Sequence, residues 1–453
     1  MVQLSLSRSL ALLVLVPLFA MAPSPTDAKT LPALTWRLEN PFRLFQRSDH
    51  VEPHRQACMA TFLRHPKAPI LAAERWLSAR YPRGWAEQIF MATCWHIWRQ
   101  SYDDCSGLRA FVFPSHHRVV AEVQPAAASD RSCRWQIHIT EDQIQYPRTL
   151  QLPCRSPASF DVPYPSGAVV SIRDETDGQE LAVQRIAPRD VFIVGIGDSF
   201  ASGDGNPDYP VNWRDDQVDN FGSILHRGHR LQLNNLPKRQ DSTIHISRRQ
   251  VRLPSAFWHN QACHRSLYSH QFRVALQLAL EDPHWAATFV SLACSGAQIV
   301  RGLFLPDADV QEIPRRQLRS QIGAAAVIQF GGARHQIRSY VAACNIKGQI
   351  PELETLSLER CPRDRARRID ALLATIGGND IGFAKLVADT VLIDRTLLRA
   401  LARISDSVCT PRDARRDLAS LRYRMYALRR AIHNHLPSLG TNRIALFSRN
   451  TRC

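Results

Sequence analysis

The chain reads Val-Phe-Ile-Val-Gly-Ile at residues 191–196 and continues directly as Gly-Asp-Ser-Phe-Ala-Ser-Gly at residues 197–203. A short, continuous apolar run of this kind predicts a buried strand. The small and polar residues after it predict a tight loop that presents Ser199 where the strand ends. Because ligands of open α/β sheets bind at that edge, Ser199 is the first candidate site residue.

Two further small-residue motifs follow predicted strands later in the chain. Ala-Cys-Ser-Gly-Ala occupies residues 293–297, after the apolar residues 288–292, and Gly-Gly-Asn-Asp occupies residues 377–380, after residues 369–376. Segments with strand and helix patterns alternate from residue 191 onward, which predicts a parallel α/β sheet. All three motifs are then expected at the carboxyl edge of one sheet.

The three motifs, in this order, resemble those of the SGNH (GDSL-type) serine esterase and lipase family. Cys-His-Arg-Ser at residues 263–266 is similar to a segment of the secreted actinobacterial lipases of that family. The resemblance covers about residues 190–450. It implies an α/β class domain of the three-layer, parallel-sheet SGNH-hydrolase type, in which Ser199 is the nucleophile and Gly296 and Asn379 complete the oxyanion hole.

These residue types suit acyl transfer. A serine hydroxyl needs a base to take its proton, and the oxyanion that forms needs preorganised donors. Ser199 offers a hydroxyl and a backbone N–H, Gly296 an N–H that no side chain shields, and Asn379 a neutral amide donor. The expected function is an exported hydrolase of carboxylic esters, either acyl lipids or acylated glycans, that forms an acyl-serine and uses no cofactor.

The expected general base is missing from its usual place. In the family, this base is a histidine of an Asp-x-x-His segment close to the C-terminus. The residues after Asn379 contain no such segment, and their only histidines, His433 and His435, lie in a predicted amphipathic helix. We expect the chain to be incomplete at its C-terminal end. The alternatives are a base from elsewhere, such as His259 or His264, and a non-catalytic relative that binds envelope glycans or lipids.

The N-terminal residues have the pattern of a secretory signal. Arg8 precedes an apolar run, residues 10–22, that is too short to span a bilayer. Cleavage is expected after Ala28, and a retained anchor helix is the alternative. Eleven cysteines fit an exported protein, secreted or periplasmic, with several disulfides. The expected pairs are Cys133–Cys154, Cys263–Cys294, Cys344–Cys361 and Cys409–Cys453. No Cys-x-x-Cys or zinc-finger spacing occurs, so no metal site is expected.

The chain divides into three predicted regions: a signal segment (1–28), an N-terminal region (29–187) and the α/β domain (188–453). Residues 29–110 have helical apolar spacing. Residues 117–187 alternate like half-buried strands and predict a small β-sandwich-like module, with a hairpin at Asp177-Gly178. A helical stripe over residues 418–432 and a last strand over residues 443–447 complete the predicted α/β domain.

The net charge is +16, and most of the basic excess is arginine. Such a charge favours contact with an anionic surface, here of the cell envelope, and the simpler interpretation is a solvated basic surface. No nucleic-acid motif accompanies the charge, so no nucleic acid is expected as a partner. The chain also lacks the Gly-x-Ser-x-Gly elbow of α/β-hydrolases, a Walker phosphate loop and a dinucleotide fingerprint.

Overall fold

The structure of the protein is a computed structural model that describes residues 33–62, 64–65, 68–82, 84–97, 99–102, 105–124, 131–141, 144–209, 242–246, 249–253, 256–306, 319–331, 339–342, 350–360, 365–383, 411–436 and 444–445. The predicted signal segment and its cleavage site after Ala28 lie outside the described residues.

The strands of the described part of the chain form several sheets, both parallel and antiparallel. They are β1 (Ala33–Leu38), β2 (His116–Gln124), β3 (Ser132–Glu141), β4 (Ile144–Pro153), β5 (Ala158–Pro163), β6 (Ala168–Asp174), β7 (Glu180–Ile186), β8 (Arg189–Gly197), β9 (Ser242–Ile246), β10 (Arg249–Leu253), β11 (Trp285–Ser291), β12 (Ser339–Ala342), β13 (Ser357–Arg360), β14 (Ala371–Thr375) and β15 (Ile444–Ala445).

The described helices lie before β2 and between the strands of the second half of the chain. They are α1 (Glu52–Thr61), α2 (Pro69–Arg80), α3 (Ala86–Ile89), α4 (Gly107–Val112), α5 (Ser199–Ser202), α6 (His270–Glu281), α7 (Gln321–Ile328), α8 (Pro351–Glu354) and α9 (Pro411–His435). Serine caps two of them, since Ser269 accepts a hydrogen bond from the Phe272 N–H and Ser320 accepts one from the Gly323 N–H.

The β-rich part consists of two antiparallel sheets, β1-β2-β5 and β4-β3-β6-β7. Side chains of both sheets, among them Val119, Phe160 and Trp135, meet in one hydrophobic cluster. The β6–β7 hairpin turns at Gly178, which has a φ of +71°, as the Asp-Gly pair predicts. The helical prediction was wrong for residues 33–38, because this segment alternates and pairs with β2.

The helical segment between β1 and β2 shares its core with the parallel sheet. Phe42 and Trp85 of this segment pack against Phe272 of α6, with ring centroids 5.2 and 6.0 Å apart. Residues 41–43 also exchange two backbone hydrogen bonds with Ala287 of β11, at 2.7 and 3.0 Å. The apolar side chains of residues 42–112 and of residues 191–436 therefore form one hydrophobic cluster.

The sheet that carries the first motif is parallel, with strand order β11-β8-β14-β15. Strand β8 is buried from its second residue to its last, which accounts for its continuous apolar sequence. The mixed α/β class predicted from the sequence is confirmed, and so is a strand within residues 443–447. Across the sheet, the strands stand in the order second, first, third, fourth when they are numbered along the chain, so the direction of strand addition reverses between β8 and β14.

Three disulfides join described cysteines. Cys133–Cys154 and Cys263–Cys294 confirm two of the predicted pairs, and Cys94–Cys105 is a pair that the sequence did not suggest. The predicted pairs Cys344–Cys361 and Cys409–Cys453 lie outside the described residues. Disulfides of this number are typical of proteins from an oxidising compartment.

Asp190, at the start of β8, connects the β-rich part, the helical segment and the parallel sheet. Its buried carboxylate lies 2.7 Å from the Arg367 guanidinium, which precedes β14, and 3.4 Å from that of Arg43 in the helical segment. Thr288 of β11 donates a hydrogen bond to it at 2.7 Å, and His117 Nε2 of β2 lies 3.2 Å away. Polar groups from all three parts of the fold thus contact one carboxylate.

Candidate active site

Ser199 is the first residue of α5, directly after the central strand β8. The strand continues into Asp198, whose N–H donates to the Thr375 carbonyl at 3.0 Å, at the end of β14. The Asp198 carboxylate accepts the Phe200 N–H at 3.1 Å and so caps α5. Burial raises the pKa of Asp198, against the effect of the backbone N–H groups that face it. Ser199 is half-buried, and its hydroxyl makes no hydrogen bond to another described residue.

Gly197 is required by the backbone at this position. Its φ is +143°, and a Cβ here would lie 2.1 Å from the Thr375 carbonyl oxygen and 2.6 Å from the Ala201 Cβ. Buried amide side chains hold the strand end in place. Gln321 accepts the Gly197 N–H at 2.8 Å and donates to its carbonyl at 2.9 Å, and Gln271 donates to the carbonyls of Ile196 and Leu373.

The second motif lies directly beside the first. Cys294 N–H donates to the Gly197 carbonyl at 3.1 Å, and Ser295 N–H donates to the Cys263 carbonyl at 3.1 Å. Gly296 follows with a φ of +83°, and a Cβ on it would meet no atom within 4 Å. Space is therefore open next to this residue, and its left-handed backbone favours glycine.

The third motif is hydrogen-bonded to the second. Asn379 Nδ2 donates to the Ala297 carbonyl at 3.0 Å, and Gln298 Nε2 donates to the Asn379 carbonyl at 3.3 Å. The buried Asp380 carboxylate accepts the Ile299 N–H at 3.0 Å and a hydrogen bond from Arg424 of α9 at 2.9 Å. These bonds bring all three motifs together at the carboxyl ends of β8, β11 and β14.

Hydrogen-bond donors remain available at this edge. In the described part of the chain, no acceptor pairs with the backbone N–H of Ser199 or of Gly296. The Asn379 amide carries two hydrogens, and the Ala297 carbonyl accepts one of them. Unpaired donors beside an accessible hydroxyl can bind a carbonyl oxygen or the oxyanion that it becomes.

Of the histidines considered from the sequence, His259 is a core residue. It is buried, and its Nε2 lies 2.8 Å from the Thr93 hydroxyl. Burial, with a smaller contribution from Arg265, lowers the pKa of His259 to about 3, which makes it a poor proton acceptor near neutral pH. His433 is exposed on α9, and the side chain of His435 lies outside the described residues.

His264 is placed differently, because it is hydrogen-bonded to a carboxylate at the rim of the site. Its Nδ1 lies 2.7 Å from Oδ1 of Asp204, and its ring stacks on Trp258 at 4.0 Å between centroids and 14° between planes. Ser295 Oγ donates to the other carboxylate oxygen of Asp204 at 2.9 Å. The hydrogen bond from His264 lowers the pKa of Asp204.

Several residues that shape this edge were not predicted from the sequence, namely Asp204, His270, Gln271 and Gln321. His270 begins α6, and its Nε2 lies 3.0 Å from the Thr375 hydroxyl. Burial lowers the pKa of His270, against a hydrogen bond to the Phe200 backbone. Except for Asp204, these residues lie 60 or more positions in the sequence from the residues that they contact at this edge. Local sequence patterns could therefore not identify them.

An apolar surface adjoins Ser199. Phe200 is 61% exposed and Phe383 44% exposed, and their ring centroids lie 6.2 Å apart. Gly377, between β14 and Asn379, faces Met425 of α9, with 3.3 Å between a Cβ built on the glycine and the Met425 methyl. Exposed aromatic side chains beside a hydroxyl are a favourable surface for an apolar group.

No described helix is long and apolar enough to cross a membrane. No group of three or more histidine, cysteine, aspartate or glutamate side chains in the described ranges could hold a metal ion.

Comparisons of the chain with protein-family models, with curated protein sequences and with solved structures found no match in any of the three. The fold and the site by themselves define a mixed α/β protein with a parallel sheet, at one edge of which three small-residue motifs meet.

Proposed function

We propose that the protein is an SGNH-type serine ester hydrolase with Ser199 as its nucleophile. The observation that carries the proposal is the hydrogen-bonded convergence of the three motifs at the carboxyl edge of the parallel sheet. Ser199 lies where strand order reverses between β8 and β14, which is where open α/β sheets bind ligands. The second-first-third-fourth order also supports a three-layer SGNH-hydrolase-like fold for residues 188–453.

In the proposed reaction, the Ser199 hydroxyl gives its proton to a base as Oγ forms a bond to the ester carbonyl carbon, and the carbonyl π electrons move to the oxygen. That oxyanion accepts hydrogen bonds from the backbone N–H groups of Ser199 and Gly296 and from Asn379 Nδ2. The carbonyl then re-forms, and the bond to the alcohol oxygen breaks as the base returns to the alcohol the proton that the serine lost. Water repeats the sequence on the acyl-serine and releases the carboxylic acid.

The surroundings of the site support an ester with an apolar acyl group. Phe200 directly follows Ser199, and its exposed ring lies near that of Phe383. The two rings provide an apolar surface for a hydrocarbon chain. The substrate class is therefore an acyl lipid or an acylated glycan. The net charge of +16 supports contact with an anionic envelope surface, and the disulfides support a secreted or periplasmic location.

Hydrolysis of p-nitrophenyl butyrate by the full chain tests the proposal. Ser199→Ala should lower kcat/KM by at least about 10³-fold, because loss of the nucleophile of a serine hydrolase removes most of its chemical catalysis. Ser166→Ala replaces an exposed serine of the β-rich part and should leave the rate unchanged. Equal rates for the wild type and Ser199→Ala would reject the proposal.

A non-catalytic role in binding envelope glycans or lipids is the second candidate. One observation favours it: no described histidine is hydrogen-bonded to the Ser199 hydroxyl. The same assay separates the two candidates. A folded wild-type chain without turnover, which still sediments with anionic phospholipid vesicles, would support the binding role.

A further inference from the structure

His264, Asp204 and Trp258 form a cluster with the geometry of an oriented imidazole. The Asp204 carboxylate holds Nδ1 at 2.7 Å, and the indole of Trp258 covers one face of the imidazole ring. Trp258 is in turn fixed, because its Nε1 donates to the Asp204 carbonyl at 3.0 Å. The ring therefore has little rotational freedom, whereas a solvated surface histidine would have much more.

The cluster is hydrogen-bonded to two of the three motifs. The Asp204 N–H donates to the Ser199 carbonyl at 3.1 Å, and the Asp204 carboxylate accepts from Ser295, which precedes Gly296. On the histidine side, the Cys263 carbonyl accepts the Ser295 N–H, and the Cys263–Cys294 disulfide joins the same two loops. The position of the imidazole is thus coupled to the loops that carry the nucleophile and the open glycine.

The hydrogen-bond pattern of the ring is that of a proton acceptor. When Nδ1–H donates to a carboxylate, the neutral imidazole must have its lone pair on Nε2. The His264 Nε2 makes no hydrogen bond to another described residue, and the side chain is 37% exposed. The bond from His264 also lowers the pKa of Asp204, so the carboxylate stays ionised and can stabilise an imidazolium.

The backbone at His264 is in an uncommon conformation. Its φ is +48°, in the left-handed region that few residues other than glycine adopt. The surrounding bonds hold this conformation, since the Cys263 N–H donates to Asn260 Oδ1 at 2.8 Å and Asn260 and Arg265 exchange backbone hydrogen bonds. Strain of this kind is concentrated at functional sites, where neighbouring structure fixes a side chain in place.

From this cluster we infer that His264, oriented by Asp204 and Trp258, is the group that transfers protons to and from Ser199. The inference rests on the proposed esterase function. His264 Nε2 takes the proton of the Ser199 hydroxyl while Oγ bonds to the carbonyl carbon. The imidazolium then returns that proton to the leaving alcohol oxygen as its bond to carbon breaks. The same two transfers serve the water that hydrolyses the acyl-serine.

Kinetics of p-nitrophenyl butyrate hydrolysis with added imidazole tests this role. His264→Ala should lower kcat/KM by about 10²–10⁴-fold, the usual contribution of a positioned acid–base group. Free imidazole should restore part of the rate in this variant, because it can occupy the space of the missing ring. Ser199→Ala should show no restoration. His65→Gln, which changes an exposed histidine just after α1, is the control and should leave the rate unchanged. His270→Ala tests the other histidine near α5, whose Nε2 already bonds to Thr375, and imidazole should not restore its rate.

The possible results separate the inference from the esterase proposal. Ser199-dependent hydrolysis that survives His264→Ala would overturn the role of His264 and leave the function intact. A loss of rate in folded His264→Ala that imidazole does not restore, or a larger loss in His270→Ala that imidazole restores, would also overturn it. Absence of Ser199-dependent hydrolysis in the wild type would reject both. Circular dichroism of each variant shows that it is folded.

Discussion

Asp190 provides the sharpest test of how the molecule is held together. Its carboxylate is inaccessible to solvent and faces two guanidinium groups, Arg367 and Arg43, which are themselves only 10% and 16% exposed. Asp190→Asn keeps the shape of the side chain but removes the negative charge, so both arginines lose the charge that compensates them. Removing one partner of a buried ion pair costs about 3–5 kcal/mol, and we expect a loss of that size in the free energy of unfolding.

The pH dependence of this loss follows from the pKa of Asp190. Burial raises that pKa, but the Arg367 guanidinium, with the help of Arg43, outweighs burial and holds it well below the ordinary value of 3.8. A carboxylate with a depressed folded-state pKa stabilises the fold above its unfolded-state pKa, and this stabilisation is lost as the pH falls through the folded-state pKa. The difference between wild type and Asp190→Asn should therefore be constant above about pH 5 and shrink only in strong acid.

Urea unfolding followed by circular dichroism measures the effect. Glu180→Gln is the control, since Glu180 pairs with Arg173 at 3.7 Å and both side chains are at least half exposed, so the expected cost is below about 1 kcal/mol. An Asp190→Asn variant as stable as Glu180→Gln would refute the claim that this carboxylate joins the three parts of the fold.

The remaining predictions concern two glycines and one buried acid. Gly197→Ala should abolish folding or cost more than about 3 kcal/mol, because its Cβ would lie 2.1 Å from the Thr375 carbonyl oxygen; wild-type expression and melting would contradict this. A Cβ at Gly296 would meet no atom within 4 Å, so Gly296→Ala should cost only about 1–2 kcal/mol of stability, which comes from its left-handed φ. The added methyl group should nevertheless slow ester hydrolysis, because it occupies the open space. Melting and rate measurements on the same variant check both expectations. Burial raises the pKa of Asp208 to about 7, so its contribution to stability is complete below pH 3.8 and should fall by about 1.4 kcal/mol per pH unit up to pH 7. Asp208→Asn should remove that slope from the unfolding data, and identical slopes would show the reasoning to be wrong.

Strand β8 illustrates what a local sequence pattern can predict. Its continuous apolar run identified the strand and its burial, whereas the tight loop expected at Ser199 is instead the one-turn helix α5. The Cys133–Cys154 pair was predictable because it lies within one module of alternating strands. The Cys94–Cys105 pair was not, because it lies in an irregular segment of the helical part. The segment Ala33–Leu38 was also missed, since it becomes a strand by pairing with β2, a strand nearly eighty residues later.

The support of the site depends on contacts that no local pattern encodes. Gln321 reaches Gly197 from 124 positions away, and His270 reaches Thr375 from 105 positions away. Asp204 was missed for a different reason. It lies only five residues after Ser199, but its partners Ser295 and His264 come from two other loops, so its role depends on the folded arrangement.

Reaction of the full chain with a fluorophosphonate probe tests the central claim most directly. Such a probe loses fluoride and forms a phosphorus–oxygen bond only with an activated hydroxyl beside oxyanion donors. Intact-mass measurement and peptide mapping should find one adduct per chain, on the peptide that contains Ser199, and no adduct in Ser199→Ala. An unlabelled wild type, or an adduct that persists in Ser199→Ala, would contradict the assignment of Ser199 as the nucleophile.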